Sequence, residues 1–275
     1  MLLGAVIGDI AGSDYEFNNV RSKDINLIPP YKVGVPNCYF TDDSVMSLAI
    51  ADALCGFGGD QNIGEDVFKD AIVDKMVEYG KIYPYCGYGG GFRKWIISKD
   101  HKPYNSYGNG SAMRVSPVAW YFKKRSDVTK YARFSAEVTH NHPEGVKGAV
   151  TTAEAIHLAI KGSKMNEIKK YVCSVYPEID SIDIDALRET YEFDETCQGS
   201  VPQALACFLK STSFEDAILN SISIGGDSDT IAAIAASIAE PFYGIPADLE
   251  SRVIATLDMR LLEVSLKFDN IRRKK

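Results

Sequence analysis

Apolar residues recur along this chain at helical spacing. Met46, Ala49, Ile50, Ala53, Leu54 and Phe57 follow the i, i+3, i+4, i+7, i+8, i+11 template without a gap, and Ile231, Ile234, Ala235, Ile238, Ala239 and Phe242 repeat it. Residues at these spacings share one face of a helix, so each run predicts a helix with an apolar stripe. Weaker stripes run through Phe68, Ile72, Met76 and Tyr79, through Ala149, Ala153, Ile156 and Ile160, and through Ile254, Leu257, Leu261 and Val264. No convincing stretch alternates apolar and polar residues as a half-buried strand does. The pattern predicts an all-α protein.

Turn-forming residues separate the stripes: Pro29-Pro30, Gly58-Gly59, Gly87 to Gly91, Gly108 to Gly110, Pro143, Gly225-Gly226 and Pro246. Most breaks are short, so the helices are expected to pack as a single domain over residues 1–275. The least patterned stretch, 176–200, holds several acids and Pro177 and reads as an excursion within that domain. No low-complexity segment or solenoid-length repeat interrupts it.

Composition narrows the function. With 275 residues, 45% of them hydrophobic, the chain can bury one large core. A formal net charge of -7 disfavours a nonspecific nucleic-acid binder, which needs an excess of Lys and Arg on one face. The basic end Arg272, Arg273, Lys274, Lys275 reads as a solvated terminus. Cys38, Cys55, Cys86, Cys173, Cys197 and Cys207 form no C-x-x-C pair, which points to reduced thiols and a cytoplasmic location. The apolar start carries no basic residues and is interrupted by Asp9, so neither a secretory signal nor a membrane span is expected.

Two acidic clusters stand directly before the strongest helices: Thr41-Asp42-Asp43-Ser44 and Asp227-Ser228-Asp229-Thr230. Helix capping explains one side-chain oxygen at each position. Each cluster supplies at least three hard oxygen donors within four residues. Successive helical residues diverge by about 100°, so these donors are expected to converge in turns just outside the helices. Four carboxylates brought face to face repel one another unless cations lie between them. Oxygen donors without nearby His or Cys favour Mg²⁺, with Mn²⁺ or Ca²⁺ behind it, and four acids suggest two ions.

In order along the chain, the segments Gly4 to Asp9 leading to Glu16, Phe40 to Ser44, Gly108 to Arg114, His140 to Glu144 and Gly225 to Thr230 resemble the ADP-ribosylglycohydrolase family. The resemblance implies a compact orthogonal helical bundle with a binuclear Mg²⁺ site in loops at one end, Mn²⁺ being the alternative metal. It carries the ligand roles to Thr41, Asp42, Asp43, Asp227, Asp229 and Thr230. It implies an ADP-ribosylated protein or small molecule as substrate, ADP-ribose as product and a monomeric enzyme. Ser44 stands where Thr is frequent in the family and keeps the hydroxyl.

The same resemblance gives Gly89, Gly90, Asn109, Gly110 and Ser111 contacts to ADP-ribose. By themselves the glycines at 89–91 fit a plain flexible turn better, with Tyr88 and Phe92 as aromatics that could pack on a base or ribose. Gly108 to Ser111 is expected to precede a helix beginning near Ala112 and to offer its N–H groups to pyrophosphate. Met113 and Arg114 read as structural. His140 and His142 lack a third zinc ligand, and His142 matches the family segment at the phosphate site.

In the reaction this implies, carboxylates stabilise oxocarbenium character at the anomeric carbon while one acts as base toward water. Glu16 is the chosen base, with Asp43 and Asp229 beside it. Family members acting on ADP-ribosyl-arginine often carry an acid before the Gly-Asn loop, where this chain reads Tyr104-Asn105-Ser106-Tyr107. The acceptor therefore stays open among arginine, serine, a nucleobase and a metabolite. The competing readings are a non-catalytic ADP-ribose-binding protein and a two-metal phosphoesterase.

Overall fold

The computed structural model describes residues 3–28 and 39–273, so the predicted turn at Pro29-Pro30, Cys38, Lys274 and Lys275 lie outside the described residues. The apolar stripes become helices. The first half holds α1 (Gly4–Gly12), α2 (Asp42–Gly56), α3 (Glu65–Ile82), α4 (Gly90–Ile97), the single turn α5 (Gly110–Met113), α6 (Ser116–Tyr121) and α7 (Arg125–Glu137). The second holds α8 (Pro143–Ile160), α9 (Met165–Val175), α10 (Ile184–Thr190), α11 (Cys197–Leu209), α12 (Phe214–Ser223), α13 (Ser228–Tyr243), α14 (Ala247–Ile254) and α15 (Met259–Arg273). Among the described residues the only β-type pairing is an isolated bridge between Gly108 and Thr196.

Spacing of four between Gly4, Gly8 and Gly12 puts all three on one face of α1, and that face meets α13 at backbone distance. A Cβ on Gly4 would meet the Ala236 carbonyl oxygen at 2.6 Å, one on Gly8 would overlap the Ala232 carbonyl, and one on Gly12 would lie 2.5 Å from Asp229 Cα. The two helices therefore run antiparallel. Glu240, at the far end of α13, accepts a hydrogen bond from Gly4 N at 2.7 Å and satisfies an otherwise orphaned N–H of α1. Gly8→Ala is expected to cost about 3 kcal/mol, since overpacking here meets backbone and no side chain can swing aside. A urea midpoint unchanged from wild type would show that the contact is looser than this.

Every residue of α13 from Ser228 to Glu240 is buried, with α1, α8, α11 and α12 packed around it. The stripe of Ile231, Ile234 and Ile238 thus understates the helix: Ala232, Ala233, Ala236 and Ser237 on its other sides are small enough to let neighbours close in. Helix α2 is likewise buried almost throughout, between α1, α3, α6 and α15. The stripe from Ile254 to Val264 needs correction. It spans two helices, because the chain turns after Ile254 and Asp258 Oδ1 accepts from Leu261 N at 2.9 Å to start α15. Arg272 is also no solvated end: its guanidinium lies 4.1 Å from the Trp120 ring centroid and pairs with Asp269.

No helix among the described residues is long and apolar enough to cross a membrane. Cys55, Cys86, Cys173, Cys197 and Cys207 are free thiols. Residues 177–181 and α10 give the 176–200 excursion local helical structure. Its far end is tied back by Asn109 N to Glu195 O (2.8 Å) and Cys197 N to Tyr107 O (2.9 Å). That strap brings residues 192–196 beside the Gly-Asn loop.

Candidate functional site

The two acidic clusters meet because two helix N-termini meet. Asp42 and Asp43 open α2, with Thr41 in extended conformation as its cap; Ser228 to Thr230 open α13, with Asp227 as its cap. The acids were expected in turns outside the helices. Instead they occupy caps and first turns, and convergence comes from the pairing of α2 and α13, where the positive ends of both helix dipoles favour carboxylates. Capping uses little of this chemistry. Asp227 makes no side-chain cap bond, and the Thr41 hydroxyl accepts only a long 3.4 Å bond from Asp43 N. Gly225 and Gly226, both at φ near +70°, turn the chain sharply into α13.

Asp9 organises one side from the middle of α1. Fully buried, it accepts from Thr41 N (2.9 Å), Thr41 Oγ1 (2.6 Å), Ser44 N (3.0 Å) and the Ser44 hydroxyl. Oxygens of Asp9, Asp43 and Asp229 lie within 4.8 Å of one another, and so do oxygens of Glu16, Asp227 and Asp229. Two three-acid groups thus share Asp229. Asp42 joins neither, though it lines the same cleft. Thr230 Oγ1 donates to Asp43 Oδ2 at 3.0 Å, while Asp43 Oδ1 is buried with no hydrogen-bond partner. Asn109 Nδ2 donates to Asp227 Oδ2 at 2.6 Å and to Ser200 Oγ at 3.1 Å, fixing that carboxylate from the opposite wall.

Burial and mutual repulsion raise the proton affinity of the whole group. Asp43 and Asp42 are pushed well above the usual carboxylate range by burial and then by the charges of Asp229 and Asp9. Asp229 is raised by burial and by Asp227. Asp227 is pushed up to about 6 by burial, against the bonds it accepts. Glu16, half-buried, is pushed up to about 8 by burial, Asp229 and Asp9. None of the salt bridges among the described residues involves these acids. An orphaned buried carboxylate oxygen amid uncompensated acids is the donor set that a hard divalent cation fits.

Apart from the buried Asp9, these acids line a cleft of about 340 Å³ whose walls include Gly89, Gly90, Asn109 and Gly110. A Cβ at Gly89 or Gly90 would meet open space, so a ligand can approach that backbone. Their conformation is ordinary; the left-handed residue is Gly87, at φ 91°. Tyr88 is buried in the core, while Phe92 touches the cleft. Helix α5 begins at Gly110, two residues before the expected start, and ends after one turn. Ser111 is buried and donates to Gly145 O at 2.7 Å, so its hydroxyl serves the loop rather than the cleft.

The two histidines differ in where they lie. His142 caps α8, its Nδ1 accepting from Glu144 N at 3.1 Å, and stands outside the cleft. His140 lines it, held by Thr139 Oγ1 on Nδ1 at 2.7 Å and kept neutral by burial and the Arg114 charge. Arg114 lines the cleft and donates to Gly110 O (2.9 Å) and Thr139 Oγ1 (2.8 Å), which ties the Gly-Asn loop to α7's end. Sequence reasoning also missed Asp9, although it belongs to the first motif, and the aromatic residues Phe17, Tyr39, Tyr85, Tyr104 and Phe193 at the cleft.

Known proteins resemble this chain. The family model described as ADP-ribosylglycohydrolase matches residues 1–271. ADP-ribosylhydrolase ARH3 of Homo sapiens is 28% identical, over 91% of this chain and 86% of its own. ADP-ribosylarginine hydrolase Tri1 of Pseudomonas putida is 25% identical over 89% of this chain and 70% of its own. ADP-ribosyl-[dinitrogen reductase] glycohydrolase of Rhodospirillum rubrum is 25% identical, over 80% and 74%. The solved ADP-ribosylglycohydrolase-related protein complex superposes with a TM-score of 0.70 at 20% identity, over 98% of this chain and 96% of that one.

Proposed function

The chain belongs to the ADP-ribosylglycohydrolase family and is a glycosidase acting on ADP-ribosyl bonds, and on that premise we propose a divalent-cation-dependent hydrolase that splits ADP-ribose from its acceptor. The observation that carries this reading is the convergence of the α2 and α13 N-termini with Glu16 on one cleft. Asp43, Asp227 and Asp229, with Asp42, Thr41 and Thr230 around them, are the proposed ligands, and Asp9 joins them as a residue that holds Thr41 and Ser44 in place. Two overlapping three-acid groups support two cations, Mg²⁺ first and Mn²⁺ second. Bound there, such ions supply charge neutralisation and Lewis acidity toward hydroxyl and water oxygens.

The remaining work falls to the chain's own side chains. The backbone at Gly89, Gly90 and Gly110 borders the space for the diphosphate half, and binding there positions the anomeric carbon over the acids. As the glycosidic bond lengthens, Asp43 and Asp229 stabilise positive charge on the ribose, Glu16 takes a proton from the attacking water at its carboxylate, and the departing acceptor atom keeps the bonding pair and is protonated from solvent. Asn109 keeps Asp227 in register throughout.

The test is release of free ADP-ribose from ADP-ribosyl-serine and ADP-ribosyl-arginine peptides with Mg²⁺, with Mn²⁺ and with EDTA, products read by mass. Free ADP-ribose that disappears with EDTA is expected, and the peptide that yields it identifies the acceptor. AMP as the product would end the glycosidase reading in favour of a phosphoesterase.

A further inference from the structure

Two segments far apart in sequence form one wall of the cleft mouth beside Glu16. Phe17 and Phe193 stack across it, ring centroids 6.3 Å apart and planes 20° from parallel, yet remain 83% and 50% exposed. Large aromatic side chains left in water together call for a partner. Their backbones are held in place. Asn19 Oδ1 accepts from Gly226 N at 2.6 Å, and Arg21 donates to Ile224 O and, at 2.7 Å, to Tyr191 O. The same clasp that locates Glu16 therefore locates the aromatic pair.

Charge on this wall has one sign. Residues 14–21 and 191–196 include Glu16, Glu192, Asp194 and Glu195, and their only cation, Arg21, spends its guanidinium on backbone carbonyls. Glu192 and Glu195 are exposed beside Phe193. If the glycosidic bond is cut beside Glu16, an acceptor leaves past this wall, and chain flanking the modified residue can lie along it. Lysine and arginine side chains suit such a surface: their stems lie on apolar rings, their charges face the ring planes and the carboxylates.

Resting on the glycohydrolase reading above, we infer that the Phe17–Phe193 wall binds the polypeptide flanking the ADP-ribosylated residue and selects basic flanks.

The experiment uses the full chain and three conjugates of whichever acceptor is cut: the free ADP-ribosylated amino acid, a short lysine-flanked peptide, and the same peptide flanked by glutamate. The expected kcat/KM is about fivefold or more higher for the lysine-flanked peptide than for the free conjugate, lowest for the glutamate-flanked one, with the spread narrowing at high salt. Phe17→Ala and Phe193→Ala should bring the ratio of lysine-flanked to free conjugate within about twofold of unity. Because it is a ratio, it is untouched by any fraction of misfolded variant. Equal rates for the three conjugates in wild type, or a ratio that survives both substitutions, would overturn the inference while leaving the hydrolase intact. No ADP-ribose from any conjugate would remove the parent reading and this one with it.

Discussion

Asp43→Asn is expected to stabilise the chelator-treated protein at pH 8 while abolishing its response to Mg²⁺ and lowering turnover by about 100-fold or more. Asp43 is fully buried, its Oδ1 has no partner, and its neighbours are acids. Asparagine keeps an oxygen for Thr230 Oγ1 and turns an N–H toward the surrounding carboxylates. Relief of one unsatisfied buried group is worth about 2 kcal/mol, roughly 3.5 °C in a chain of this size.

The gain should grow with pH. An unfolded chain ionises its carboxylates near pH 4, whereas the folded, cation-free protein holds protons on Asp227 to about 6 and on Glu16 to about 8. Through that interval the folded state binds more protons than the unfolded one, so stability falls as pH rises and is lost once the folded groups ionise. Wild type should therefore melt progressively lower from about pH 4 to 8 without metal, with Mg²⁺ restoring most at the alkaline end. A variant less stable than wild type at pH 8, and still stabilised by Mg²⁺, would remove Asp43 from the ligand set.

Glu16→Gln should lower kcat by about 100-fold or more while ADP-ribose binding stays within about threefold. The side chain is half-buried at the cleft with an oxygen within 4.8 Å of Asp227 and Asp229 oxygens, and glutamine preserves its shape. Single-turnover kinetics and product inhibition by ADP-ribose separate the two effects. Near-normal turnover would show that another carboxylate takes the proton from water.

Much of this was legible before any coordinates. The helix stripes and the acid-bearing starts of α2 and α13 are local signals, because capping and periodicity are written in adjacent residues. Asp9 is not local in that sense. It looks like an interruption in an apolar run, and its purpose lies in Thr41 and Ser44, more than thirty residues away. The choice between His140 and His142 turns on which of them caps α8, a matter of chain direction that a two-residue spacing cannot encode. The break at Asp258 hid because Leu257 keeps the helical phase across it. Phe17 and Phe193 became neighbours only through the clasp of Asn19 and Arg21.

The antiparallel contact of α1 with α13 also sets a schedule for biogenesis. The ribosome makes α1 long before α13, and the glycine face of α1 has no partner until the segment around Ala232 has emerged more than two hundred residues later. Until then the nascent chain carries an apolar, glycine-faced helix in search of a groove, and with it Asp9, which can meet Thr41 and Ser44 early but lacks Asp229. On the proposed ligand set, cation affinity should thus arrive in one late step, when the chain closes on itself, and a product cut short before α13 would lack it.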